Sequence, residues 1–170
     1  MVKGLSKPSS QIVISGSVSE LAPNTFQQNQ IDLQLNVLDR EIFVVTSVDI
    51  DTTAPDGIAG IDTNTASSLS TTSRTTVGSL ADSNVIARSA FAIESAGYVD
   101  NGVGFQQTHP EVPMTNMDYV ALIATNDFFV QVAGTANVTT KSMTFRVWGY
   151  RAVADAATFA ALTQSELLSQ

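Results

Sequence analysis

The sequence predicts an all-β protein: an antiparallel β-sandwich, a single jelly roll of about eight strands, closed by a short C-terminal helix. Three observations carry that reading. Apolar and polar residues alternate at period two, most clearly Ile31, Leu33, Leu35 and Val37 against Asp32, Gln34 and Asn36, a spacing that lines one face of a strand and no face of a helix. Eight or nine short β-rich segments can be counted between turn signals, and eight strands in two sheets is the jelly-roll number, with Greek-key sandwiches the nearest competitors. Helix-forming residues are concentrated at the C-terminus.

Taken in order, Met1 to Ser10 is polar and reads as an extended N-terminal arm that needs a partner surface to become ordered. Residues 11–152 form the sandwich and 153–170 the C-terminal helix. Gln11 to Val18 is a β-rich segment, and Leu21-Ala22-Pro23-Asn24 supplies a turn. The alternating run from Ile31 to Val37 follows, then Glu41 to Ile50, dense in Phe43, Val44, Val45, Val48 and Ile50. The short Leu38-Asp39-Arg40 join implies that these two segments pair as neighbours or form one bent element. Residues 51–66 hold Pro55, Gly57 and Gly60 and read as a long loop. Ser and Thr occupy 11 of the 17 positions from Thr63 to Ser79; a polar edge strand around Ser70 to Val77 is favoured over a linker, because Thr is β-favouring and flexible linkers are richer in Gly.

Asn84 to Glu94 is a further strand, followed by Gly-rich turns around Tyr98 and Val99. His109 to Pro113 is extended, since proline restricts itself and the residue before it. Tyr119 to Ala124 and Phe128 to Ala133 are apolar runs joined by Thr125-Asn126-Asp127, a connection suited to antiparallel strands. Ser142 to Arg151 alternates Met143, Phe145 and Val147 with Thr144, Arg146, Trp148 and Tyr150. Asp155 is placed to cap a helix in which Phe159, Leu162 and Leu167 share a stripe. That helix either covers an open end of the β body or docks on a neighbour.

Composition narrows function more by exclusion than by motif. The 170 residues contain no Cys, one His and 37 Ser or Thr, and charged residues make up only 14%, well below the roughly 25% of an average soluble domain. Little charge keeps identical copies apart, which eases self-association. The net charge is −8 and the isoelectric point about 4.3. Lys3 and Lys7 are the only bases before Arg40, so the clustered cations of a nucleic-acid-binding face are missing and no direct nucleic-acid binding is expected. No apolar run reaches the roughly 18 to 20 residues of a membrane-spanning helix, and the polar start does not resemble a secretory signal. A soluble chain is expected.

Asp49, Asp51, Asp56 and Asp62 are the metal candidates, because oxygen-rich loops suit Ca²⁺; their spacing fits no EF-hand, and Asp also marks turns for local reasons. The expectation is no metal and no cofactor. His109 lacks a recognisable nucleophile motif, and Gly102-Val103-Gly104 lacks the third glycine and the helix of a phosphate loop. No catalysis is expected. Asn137-Val138-Thr139 matches the glycosylation sequon. Arg146, Trp148 and Tyr150 share one face of the last strand and are residue types that dominate interface hot spots; they are either a subunit contact or intrachain packing beneath the terminal helix. With Lys3 and Lys7 they are the candidate interface residues.

A Cys-free, neutral-polar sandwich built from residues 31–50, 119–134 and 142–152 and closed by an Ala-rich helix resembles the single jelly-roll capsid proteins of small virions. The resemblance implies a structural role in a shell of many copies, with other virion proteins as further partners and the virion as its location. The chain departs from the RNA-virus version by lacking a basic N-terminal arm, which shifts the comparison toward shells whose genome is held by other components, or toward a decoration protein. The alternative is an extracellular or cell-surface carbohydrate-binding or adhesin module, with Trp148, Tyr150 or Tyr98 as stacking platforms and the Asp-rich loop holding Ca²⁺.

Overall fold

Alternation along the last strand, with Met143, Phe145 and Val147 buried and Thr144 and Arg146 exposed, sets the two sides of the sheet it centres. The computed structural model describes residues 4–6, 8–96, 105–108 and 117–168. Its strands are β1 Leu5–Ser6, β2 Ile12–Ser19, β3 Gln27–Asp32, β4 Glu41–Thr52, β5 Thr63–Ser70, β6 Val85–Glu94, β7 Phe105–Thr108, β8 Ala121–Ile123, β9 Asp127–Thr135 and β10 Ser142–Ala154, followed by helix α1 Ala156–Leu168.

The first sheet is built on β10: β2 and β1 share one of its edges, β4 takes the other, and β8 lies beyond β4. The second sheet runs β3-β9-β5-β6-β7, and all pairings are antiparallel. Without the short β1 and the edge strand β7, eight strands remain. Counted along the chain they stand in the order first, eighth, third, sixth in one sheet and second, seventh, fourth, fifth in the other, the double Greek key of a jelly roll.

The inner faces meet in a core that includes Val18, Phe43, Val45, Ile50, Leu69, Ile123, Phe128, Val130, Phe145 and Val147. Phe128 and Phe145 meet edge to face across it, with ring centroids 5.9 Å apart. A bulge in β4 explains how Glu41 to Thr52 can be so apolar. Trp148 pairs with Ser47 and Gly149 with Val45, so Thr46 is extra, and its hydroxyl donates to the Trp148 carbonyl at 3.1 Å. Before the bulge Phe43 and Val45 face inward; after it Val48 and Ile50 do. Ile42 and Val44, left on the outer face, form a second cluster with Leu5, Ala152 and Ala154, against which Phe159 and Leu162 of α1 pack. Gly149 is required at the bulge, since a Cβ there would lie 2.4 Å from the Val44 carbonyl oxygen and 2.6 Å from the Phe43 ring.

Four expectations are corrected. The Ser/Thr-rich strand exists, but as β5 at residues 63–70 and in the interior of its sheet, between β9 and β6. It tolerates that position because most of its hydroxyls have partners: Thr63 donates to the Asp56 carbonyl, Ser67 meets Thr52, and Ser68 donates to Gln131. The alternating run stops being a strand at Asp32, because Gln34 has φ +51° and the Leu33 and Leu35 N–H groups turn to Asn126. Leu33 and Leu35 are buried nonetheless. The segments joined by short links are not sheet neighbours: β3 and β4, like β8 and β9, lie in opposite sheets and meet through the core rather than along a ladder.

The fourth correction concerns the arm, whose partner is the chain itself. Leu5 pairs with Ala154 and is buried, and the Gly4 carbonyl accepts from the Asp155 N–H at 2.9 Å. The sandwich thus takes in residues on both sides of its expected bounds.

Candidate functional site

β10 delivers Arg146, Trp148 and Tyr150 to the outer face of the first sheet, as the alternation requires. The helix then divides them. Tyr150 packs into the cluster under α1, whereas Arg146 is exposed and Trp148 half-buried on the part of the face that α1 leaves open. The Arg146 guanidinium carbon lies 5.8 Å from the centroid of the Trp148 ring, within cation–π range. On one side Arg146 and Trp148 pair with Ser15 and Val13 of β2, on the other with Asp49 and Ser47 of β4. The result is a flat patch carrying one cation and one indole between a neutral column and a column exposing Asp49 and Asp51. Beside it, a shallow apolar cleft of about 250 Å³ is lined by Leu5, Ser6, Pro8, Tyr150 and Ala152.

The four candidate metal-binding aspartates are not brought together. Asp49 and Asp51 are exposed on β4. Asp56 accepts from the Val138 and Thr139 N–H groups at 2.9 and 2.8 Å and pairs with Lys141 at 2.6 Å. Those hydrogen bonds, led by the one from Lys141, hold its carboxyl well below the usual carboxylate range. Asp62 accepts from the Ser95 and Ala96 N–H groups at 2.8 and 2.7 Å. Among the described residues, no group of three His, Cys, Asp or Glu could hold a metal ion. Lys3, Lys7, Tyr98, His109 and the Gly102–Gly104 segment lie outside the described residues.

The sequon asparagine is a structural residue. Asn137 is 4% exposed; its side-chain nitrogen donates to the Asn64 carbonyl at 2.8 Å and its side-chain oxygen accepts from the Asp56 N–H at 2.8 Å. A glycan on that nitrogen is incompatible with this fold.

Sequence reasoning missed three buried polar groups. Glu20 accepts from the Gly134 and Lys141 N–H groups at 2.6 and 2.8 Å, tying the β2–β3 loop to the turn before β10. Gln131, fully buried on β9, accepts from Ser68 and donates to Ser70 and Gln28. Glu166 of α1 is 7% exposed: one carboxyl oxygen accepts from the Ala124 N–H at 3.0 Å, and the other has no partner. A lone polar residue in an apolar stretch, as Gln131 is in Phe128 to Ala133, is the one signal that could have marked such a site. Cations are also drawn inward, with Arg74 on Asp82, Lys141 on Asp56 and Arg151 donating to the Leu33 carbonyl at 2.9 Å.

No protein-family model matches the sequence, and a comparison with curated proteins returns no relative.

Proposed function

We propose that the protein is a structural subunit that assembles with copies of itself, as a shell subunit of a virion, and carries out no catalysis. The fold alone does not assign this role, because jelly rolls serve as capsid proteins, lectin domains and cupins alike. What carries the reading is the open half of the first sheet's outer face, where Arg146 is stacked on Trp148 and the adjoining columns are neutral and acidic. Such a face suits a protein contact: Trp and Arg dominate interface hot spots, and Asp49 and Asp51 of one copy can meet Arg146 of another. The rest of the molecule acts as a rigid block, with both outer faces partly covered and loop ends tied by buried hydrogen bonds.

The patch spans three strands, and a standard interface takes roughly 800 Å² from each partner, so the rim contributes as well. Leu21 and Val138, 84% and 70% exposed, stand on adjacent loops at the end where β2 finishes and β10 begins.

Light scattering and electron microscopy over a range of concentration and salt test the proposal. Wild-type protein should form particles of many copies, and Trp148→Ser with Arg146→Glu should remain monomeric with an unchanged β spectrum. A wild-type protein that stays monomeric throughout contradicts it. Trp148 lies outside the core between the sheets, which makes this variant cleaner than deletion of Met1 to Ser10, a change that also removes β1 and Leu5. The second reading, a carbohydrate-binding module, is favoured by the half-exposed indole flanked by Ser47 and Asp49. Glycan binding by a monomer, lost in Trp148→Ser, would select it.

A further inference from the structure

The C-terminal helix is held on the first sheet by the apolar side chains of Phe159 and Leu162 and by a carboxyl group near its end. Phe159 and Leu162 pack against the cluster of Ile42, Val44, Ala152 and Leu5. One helical turn after Leu162, on the same face, comes Glu166, more than nine-tenths buried. Its Oε1 accepts from the Ala124 N–H at 3.0 Å, while Oε2 is buried without a partner. A carboxylate in that setting keeps one close charge-assisted hydrogen bond, with Thr125 as a further polar neighbour, and loses the solvation of its second oxygen; a neutral carboxyl loses far less.

We propose that Glu166 makes docking of the C-terminal helix depend on pH, the helix being clamped in acid and released more readily as the carboxyl ionises, with the apolar face over Ile42, Val44 and Ala152 uncovered on release. The inference goes beyond the assembly proposed above and does not rest on it. Its basis is a buried, half-satisfied acid in the last turn of a helix that covers the sheet.

The surrounding groups act in both directions, and burial is the largest. Burial raises the Glu166 carboxyl above its ordinary value; the Ala124 N–H and Thr125 oppose the rise, and the negative charge of Asp127 adds to it. Of the titratable groups on the segments packed against α1, Tyr119 and Tyr150 lie in the apolar cluster. Asp155 caps the opposite end of the helix, where it accepts from the Thr158 N–H at 2.7 Å and feels Arg40. Because the docked value is raised, the proton's contribution to docking is fully present below the ordinary carboxyl range and is lost as the pH rises through the docked value.

Hydrogen exchange on the full chain, corrected for intrinsic rates, tests this between pH 4 and 8. The opening constant of residues 156–168 should rise with pH by up to about tenfold per unit and then level off, while the protection of β9 and β10 stays constant. Glu166→Gln should flatten the profile, and Leu162→Ala should raise opening at every pH while keeping the slope. A flat wild-type profile, or a slope that survives in Glu166→Gln, overturns the proposal. Should the glutamine variant fail to fold, carbonyl NMR of wild-type Glu166 decides: a midpoint above the ordinary ~4.3 that coincides with the rise in exchange supports the switch, and a midpoint at or below it overturns the switch.

Discussion

The outer faces of the two sheets are covered by unlike lids. Over the first sheet lies α1, held by Phe159 and Leu162 on an aliphatic floor. Over the second lies the loop of residues 71–84, held by directional bonds. The Arg74 N–H donates to Gln28 at 2.8 Å, the Gly78 N–H to Ser68 at 2.9 Å, and the Thr71 N–H to the Asn84 carbonyl at 2.9 Å, while Gln131 links Ser68, Ser70 and Gln28 beneath. Apolar burial is non-directional and yields gradually when one group is removed. A buried hydrogen-bond network must be satisfied throughout, because each orphaned group keeps its full desolvation cost. The helix is therefore the lid that can open by itself, and the loop is integral to the sandwich.

The largest effect should come from the polar lid. Gln131→Ala removes one hydrogen-bond partner from each of Ser68, Ser70 and Gln28 and leaves a buried cavity, and should cost about 3 kcal/mol, measured by urea denaturation, with exchange rising through residues 71–84. Phe159→Ala, at a half-buried position, should cost about 1.5 to 2 kcal/mol and raise exchange mainly within α1. If the helix variant proves more damaging globally than the Gln131 variant, the contrast fails.

Acid should separate the ends of the molecule next. The carboxyl of Asp56 is held low chiefly by Lys141, so its contribution is present above the ordinary carboxylate range and is lost as the pH falls through its folded value. As the pH falls, α1 should tighten first, above the ordinary carboxyl range, and level off; below pH ~4 the loops around Asp56 and Asn137 should then loosen. Asp56→Asn should abolish the acid sensitivity of those loops and leave that of α1 untouched, as exchange at the two sites will read. The smallest effect on stability belongs to Trp148→Ser on the open half of the face, within about 0.5 kcal/mol; a larger loss of the denaturation midpoint would mean that the indole is part of the fold rather than of a contact.

Much of the candidate site was legible because β10 keeps one period from Ser142 to Ala154, so Arg146, Trp148 and Tyr150 had to share a face. Which of them stays accessible could not be read, since that depends on where α1 lies, and nothing local in residues 156–168 encodes the sheet it meets. Asp155 as the helix cap is local and was legible: its carboxylate satisfies the Thr158 N–H three residues on. The grouping of Asp49, Asp51, Asp56 and Asp62 by proximity in sequence failed because β4 ends at Thr52 and the chain then leaves the sheet, sending Asp56 to Lys141 and Asp62 to Ser95.

By itself the sequence determined the sandwich, the terminal helix and the approximate place of most strands, because side-chain alternation and turn chemistry act over a few residues. The tertiary structure decided which strands are neighbours, that the hydroxyl-rich β5 is interior, that Thr46 shifts the faces of β4, and that Glu166 and Gln131 are buried. Each of these is a pairing across the core or along a ladder between residues far apart in the chain, as Ser68 and Gln131 are. Local pattern contains no term for the partner that satisfies a buried polar group.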